Sequence, residues 1–307
     1  SSHVADFCVL LNRQSAENRI RESVRTRPDW CLSRQRAWGV GIPAIYCAAC
    51  DEATLDPSVM ARAAAATRER GSDAWYEMPV HDLLPAGVKC PACGGAGPFR
   101  AETDILDVWF DSGSTHRAVR VTHPELDAAW RRAETEGGRV VYFEGPDQHR
   151  GWFNSSLMVG AALDGRPPYT DVLTHGWVLD AQGRAMHKSL GNVVAPQQVI
   201  DRYGAEIVRW WALATDWRSD VRVSDEILER VADAYRKVRN TFRFLLGNLG
   251  DFSPALALPR EQLTAVDRAF GDALAVRLAR IRESWETLQF HRALDLLLGL
   301  CTVDLSA

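Results

Sequence analysis

Arg139-Val140-Val141-Tyr142-Phe143-Glu144-Gly145-Pro146-Asp147-Gln148-His149-Arg150-Gly151-Trp152-Phe153 is the stretch that decides the fold. Its β-branched and aromatic start reads as a strand, Gly145-Pro146 as a turn, and the apolar pattern running on to Leu163 as a helix. Strand, turn, helix is the unit of a parallel α/β sheet. A carboxylate, a glycine and an Asp-Gln pair stand where the strand ends and the helix begins. Open α/β sheets bind nucleotides there, because carboxylates accept from ribose hydroxyls and helix amides face phosphate. Trp152, and Trp109 in Asp107-Val108-Trp109-Phe110-Asp111-Ser112-Gly113, are candidates to wall an apolar pocket. Taken singly, each also reads as a core tryptophan, and Asp147 as a simple N-cap.

Outward from this stretch, Asp104 to Phe110 reads as a second short strand, and the glycines and proline of 37–46 as a turn feeding another. A short helix is expected near Pro57 to Arg70. Residues 1–28 are Arg-rich, weakly patterned, and read as a connector or the end of something larger. After Pro196 the pattern turns helical: Gln197 to Tyr203 stops at Gly204, Ala205 to Thr215 follows, and Ser224 caps a longer helix with Asp225 and Glu226 in its first turn. Ile227, Val231, Val238, Phe242, Leu245 and Leu249 form its apolar stripe. A last helical stretch runs from Leu263 to Thr302 and reads as cut rather than finished. An α/β half followed by an all-α bundle is the architecture expected.

Composition excludes several classes. Of 307 residues, 46% are hydrophobic and 25% charged, an ordinary globular balance. No apolar run approaches the roughly 20 residues that span a bilayer. No secretory signal is visible at the start, so a cytoplasmic setting is expected. The formal net charge of -4 is not that of a globally basic nucleic-acid binder. Seven arginines against three acidic residues between Arg13 and Arg36, and five basic against three acidic residues from Glu226 to Arg243, are local exceptions. Each is either a solvated face or a phosphate contact.

Seven cysteines include two C-x-x-C pairs, Cys47-Ala-Ala-Cys50 and Cys90-Pro-Ala-Cys93. In a reducing compartment such pairs point to metal rather than disulfides. Each presents two thiolates from one tight turn, and two turns complete a tetrahedral zinc site with no open position. Gly94 and Gly95 leave room for backbone near the sulfurs. The long spacing makes the segment between the pairs an excursion inserted in the main fold.

Together with Trp30-Cys31-Leu32-Ser33-Arg34-Gln35-Arg36-Ala37-Trp38-Gly39, with His175-Gly176-Trp177, and with Met186-His187-Lys188-Ser189-Leu190-Gly191-Asn192, these strings resemble the class I isoleucyl-tRNA synthetases over nearly the whole chain. The resemblance implies the second half of a Rossmann-like nucleotide-binding fold. Residues 1–28 would be the exit from an editing insertion, 29–46 the return to the catalytic core and 47–100 the zinc insertion. Residues 101–195 would complete the catalytic half, 196–225 form a stem-contact fold, and 226–307 begin a helical anticodon-binding domain. It further implies that Trp109 and Trp152 flank the isoleucine side chain, and that Glu144, Gly145, Asp147 and Gln148 contact the aminoacyl-adenylate, with Asp147 on the ribose. His175, Gly176, Met186, His187, Lys188 and Ser189 would contact ATP, whose phosphates magnesium helps neutralise. The implied enzyme is a monomer that joins isoleucine to tRNA(Ile).

The loop Ala185-Met186-His187-Lys188-Ser189 departs from the family's K-M-S-K-S signature at Ala185 and His187. Lys188 keeps the second cation and is the expected catalytic residue, with Arg184 the neighbour expected to replace the lost charge. The family's H-x-G-H signature is not found in these residues, so the chain reads as an internal fragment. Two alternatives stand beside this reading: a non-catalytic RNA-binding zinc protein derived from a synthetase, and a valyl-specific relative. The Asp-Gln-x-Arg-Gly-Trp string argues against the second.

Overall fold

In a computed structural model, which describes residues 10–11, 14–26 and 29–306, the chain divides into two compact units, one up to Leu173 and one from Thr174. The first unit opens with β1 (Leu10–Leu11), α1 (Gln14–Arg25), β2 (Ser33–Arg34), β3 (Ile45–Cys47), β4 (Ala53–Thr54), α2 (Pro57–Arg70), α3 (Ala74–Glu77), α4 (Val80–Leu83), β5 (Phe99–Ala101) and β6 (Ile105–Leu106). It continues with α5 (Val108–Gly113), α6 (Thr115–Thr122), α7 (Pro124–Glu136), β7 (Val141–Glu144), α8 (Trp152–Asp164) and β8 (Asp171–Thr174).

The expected strand, turn and helix are β7, a 3-10 turn over Pro146–His149, and α8. Phe153 and Leu157 lie one turn apart on α8 and pack with Tyr142, Tyr169, Val172 and Ile20. Each large apolar side chain buried in this way contributes about 1.5–3 kcal/mol. The sheet has the order β1-β8-β7, and β1 runs parallel to β8. Asp171, almost fully buried at the head of β8, takes two bonds from the Arg139 guanidinium, at 3.1 and 2.5 Å, and one from the Thr170 hydroxyl. This pairing fastens the approach to β7 onto β8.

Two expectations change here. Asp104 to Phe110 is a strand only at Ile105–Leu106; from Val108 the backbone is helical, because Asp107 accepts from the Trp109 amide and starts α5. Of the segment 1–28 expected as a connector, residues 1–9, 12, 13, 27 and 28 lie outside the described residues. The described remainder carries a strand of the sheet and a helix that contributes Ile20 to the core.

The excursion between the cysteine pairs is built on an antiparallel sheet ordered β4-β3-β5, with a core of Ile45, Val59, Ala63, Trp75 and Leu83. Its main helix matches the expected span. Asp56 caps it through the Ser58 amide, and Pro57 occupies the first turn, where no amide is needed.

The second unit holds β9 (Val178–Leu179), α9 (Pro196–Tyr203), α10 (Ala205–Ala214), β10 (Val221–Arg222), α11 (Asp225–Gly247), α12 (Ala265–Glu286) and α13 (Phe290–Gly299). β9 and β10 pair in parallel. Ser224 caps α11 as expected, its hydroxyl accepting from the Ile227 amide. Val199, Ile207, Val223, Leu228 and Ala232 form this unit's core. Only the first half of the expected stripe is covered: Phe242, Leu245 and Leu249 stay 48%, 37% and 49% exposed. The final helical stretch is two helices, not one. It breaks at Leu288, whose φ of 59° is left-handed, and Trp217 donates to the Leu288 carbonyl. No helix among the described residues is long and apolar enough to cross a membrane.

Candidate active site

The pocket elements of the first unit meet where α5 crosses α8. Gly151 precedes α8, and a Cβ there would lie 2.7 Å from the Trp109 ring and 2.6 Å from Gln148 Oε1. Glycine is therefore what lets Trp109 lie against the start of α8. The Trp152 ring stacks on Tyr142 at 4.0 Å and 10°, and its Nε1 donates to the Ser112 carbonyl at the far end of α5. Tyr142 is buried, which pushes its hydroxyl up to about 12 and keeps it neutral. Trp152 is thus a partly buried core neighbour, while Trp109 is 41% exposed.

Glu144 ends β7 exposed to solvent, and buried Gly145 starts the 3-10 turn. Asp147 does not cap α8. The Gln148 amide does so: its Oε1 accepts from the Trp152 amide at 2.9 Å, while its Nε2 donates to Asp147 at 2.9 Å. The Asp147 carboxylate thus keeps acceptor capacity at the exposed rim. A cavity of about 320 Å³ opens beside Trp109, lined also by Trp30, Arg34, Asp107, Asn154 and Met158. Trp152 does not line it, so the two tryptophans do not face each other across this cavity.

In the second unit the signature loop is pinned at its stems. Asp180, 5% exposed, accepts from the Gln182 and Arg184 amides, Arg184 Nε and Asn192 Nδ2. Asn192 also donates to the Ala185 carbonyl and accepts from the His187 amide. Met186 packs against the helical core, and Lys188 and Ser189 stand exposed on the turn between these anchors. Arg184 is held by Asp180 at 2.9 Å, so it is a strut of the loop and not the spare cation expected from the sequence. His175 Nδ1 lies 2.8 Å from the Gly176 carbonyl. Gly176 is obligatory, since a Cβ would come within 2.2 Å of the Ser219 backbone.

The Asn192 bond, more than any other contact, holds the Asp180 carboxyl down at about 2, against an ordinary value of 3.8. The ionised form is the one the fold stabilises, so this contribution is present above about pH 4 and is lost as pH falls toward 2. Asp180→Asn should melt earlier than wild type at pH 7, and the gap should narrow as pH drops from about 4 to 3. A gap constant across that window in thermal melts counts against the clamp.

The four cysteines of the excursion converge. Their Sγ atoms all lie within 4.8 Å of one another, with Cys47 to Cys93 at 3.8 Å and Cys50 to Cys90 at 3.5 Å. Both pairs use the same turn: Asp51 N donates to Cys47 O and Gly94 N to Cys90 O, with φ of 58° and 73° at the fifth residue. Four thiolates on one zinc at about 2.3 Å stand roughly 3.8 Å apart, so the set fits a metal ion of that size.

Residues 5–224 match the family of tRNA synthetases class I (I, L, M and V). The chain belongs to that family. Among curated class I synthetases it is 48% identical to an isoleucine–tRNA ligase of Nitratidesulfovibrio vulgaris over 293 residues, and 48% identical to one of Geobacter sulfurreducens over 290. These alignments cover 95% and 94% of the chain but 30% of each relative. Solved class I synthetases share the fold. A LeuRS of Agrobacterium radiobacter in a ternary complex with tRNA superposes with a TM-score of 0.63 at 22% identity, covering 89% of this chain and 35% of that one. A methionyl-tRNA synthetase of Mycobacterium tuberculosis bound by methionyl-adenylate gives 0.58 at 18%, covering 99% and 50%.

Within this synthetase fold, sequence reasoning missed Asp107 and Asp180 as buried carboxylates, and Gln148 as a helix cap. The signal was present for the first: an Asp two residues before a tryptophan, directly after a strand, has the position of an Asx cap.

Proposed function

We propose that the chain serves an isoleucine–tRNA ligase, activating isoleucine with ATP to isoleucyl-adenylate and passing the isoleucyl group to tRNA(Ile). What carries the reading is the placement of Glu144, Gly145, Asp147 and Gln148 at the end of β7 beside exposed Trp109, in a chain 48% identical to isoleucine–tRNA ligases. In this reading Trp109 offers the apolar wall for the amino acid. Trp152 acts by backing Tyr142 and α5. The adenylate lies along Glu144 to Gln148, with Asp147 toward the ribose. His175, Gly176 and the stretch Met186 to Ser189 serve ATP, with Lys188 the charged group and magnesium the counter-ion of the phosphates. The relatives are about three times as long as this chain, so the complete activity is proposed for a protein of their length.

Zinc is the proposed occupant of Cys47, Cys50, Cys90 and Cys93, in a structural role, because a closed four-thiolate set leaves no position for substrate. The domain boundaries expected from the sequence go with this reading, including 226–307 as the start of an all-α anticodon-binding part. Lys237, Arg239 and Arg243, exposed on α11, are its proposed RNA contacts. The working form is a cytoplasmic monomer.

Pyrophosphate exchange with ATP, measured on a protein of the relatives' full length containing these 307 residues, should depend on isoleucine and run far faster than with valine. One methylene is worth roughly 1–3 kcal/mol in such a pocket, a generalisation drawn in part from this family. Exchange with neither amino acid would favour a non-catalytic RNA-binding zinc protein, and preference for valine a valyl relative.

A further inference from the structure

Two strings remain without a role in that chemistry: the Trp30 to Arg34 segment and the aspartate that opens the Trp109 string. They meet at one carboxylate. Asp107 is 4% exposed, and its two oxygens divide their work. Oδ2 accepts from Trp30 Nε1 at 2.9 Å and from Arg34 Nη2 at 2.7 Å. Oδ1 accepts from the Trp109 amide at 3.2 Å and starts α5. The Asp107 amide donates to the Leu32 carbonyl at 2.7 Å, which closes the loop between the segments. Arg34 also donates to the Cys31 and Ser33 carbonyls, so its guanidinium is fixed from both sides. Trp30 packs its ring against Phe110, at 6.2 Å between centroids.

We propose that Asp107 is a positioning residue for amino-acid recognition: it ties the pose of Trp109 over Gly151 to Trp30 and Arg34, so isoleucine use depends on contacts outside the pocket itself. The physics is direct. Trp109 is the second residue of a short helix whose first turn is set by Oδ1, and a six-residue helix has little order of its own to resist a shift of its cap. Oδ2 cannot let go cheaply, because a buried carboxylate left without donors carries its full desolvation penalty. Displacement of the 30–34 segment therefore moves the carboxylate, and the carboxylate moves Trp109 against a neighbour that has no side chain to yield.

This rests on Trp109 serving the amino acid, and the test separates the two. In a ligase of the relatives' full length, Trp30→Phe keeps an aromatic ring, though a smaller one, and deletes one donor. Asp107→Asn keeps the cap and deletes the charge, and Asp107→Ala deletes both. Asp107→Ala should raise the isoleucine KM at least about 10-fold in pyrophosphate exchange, the equivalent of losing one charged hydrogen bond. Asp107→Asn should recover part of that, and Trp30→Phe should raise it about 3-fold or more, less than Asp107→Ala because Arg34 still donates to Oδ2. The ATP KM should stay within about 2-fold in each, and preference for isoleucine over valine should fall. Trp30→Phe and Asp107→Asn are mild enough to fold if Asp107→Ala is not. A variant pair with lowered melting temperature but wild-type isoleucine KM and wild-type preference assigns the hub a purely structural role and overturns the proposal. If Trp109→Ala itself leaves isoleucine use unchanged, the pocket assignment fails first.

Discussion

Stripping metal from the four-cysteine centre with a chelator, or replacing Cys93 by Ser, should unfold residues 45–101 while the sheet around Tyr142, Phe153 and Val172 stays folded. The excursion is well under the roughly 70–80 residues at which an apolar core alone usually holds a domain, and its buried core is small. A structural zinc supplies about 10–16 kcal/mol of apparent binding free energy at neutral pH. That exceeds what Ile45, Val59, Ala63, Trp75 and Leu83 can contribute after the ordering entropy is subtracted. The centre also sits at the edge of the β3-β5 pairing, where Cys47 registers with Phe99, so loss of the metal frees the strand ends first. Hydrogen exchange reads the outcome. Protection of the Ile45, Val59 and Leu83 amides should collapse, and that of Phe153 and Leu157 should persist. Metal analysis should return one zinc per chain beforehand. Collapse of both regions together would mean that the excursion is not separable, and survival of both that the thiols hold no structural metal.

The parts of the fold that were legible share one property, a local signal that tertiary packing does not override. The Arg139 to Phe153 stretch carries strand, turn and helix chemistry within fifteen residues, and the structure keeps all three. Ser224 and Gly204 mark helix ends because capping is settled within one turn. Cys47, Cys50, Cys90 and Cys93 declare a common site because few other arrangements use paired C-x-x-C turns. Where the reading failed, the deciding contact was a particular side-chain pairing that composition and periodicity do not register. Val108 to Phe110 look like a strand by composition, and one capping bond from Asp107, itself fixed by Trp30 and Arg34, makes them helix. Arg184 looks like a free cation beside Lys188, but the buried Asp180 takes it. Trp109 and Trp152 look equivalent by residue type. Only Gly151 and Tyr142, one beneath each ring, show that the first faces solvent and the second the core.

Lys188→Ala, in a ligase of the relatives' full length, should slow adenylate formation by about 10²-fold or more, the range for one preorganised charged donor removed from a transition state. That corresponds to about 2.7 kcal/mol of barrier. The side chain is exposed and, among the described residues, paired with no carboxylate, so its ammonium is available to a phosphate. Its backbone is not free to wander. Met186 is anchored in the helical core two residues before it, and Asn192 holds the His187 amide and the Ala185 carbonyl. Under the proposed function, a cation carried on a backbone held in this way would meet the negative charge that grows as the isoleucine carboxylate attacks the α-phosphate, so turnover should suffer more than ATP affinity. Ala185 has removed the neighbouring cation of the family signature, and Arg184 cannot stand in while it is bound to Asp180. Arg184→Ala should therefore act as a loop-loosening change, lowering melting temperature and raising the ATP KM, and it should add little to the rate loss of Lys188→Ala. Pre-steady-state adenylate formation separates the cases. If Lys188→Ala changes only the ATP KM, the loop is a binding lid. If Arg184→Ala deepens the rate loss by a further factor of ten, the guanidinium leaves Asp180 in the reacting state and shares the charge after all.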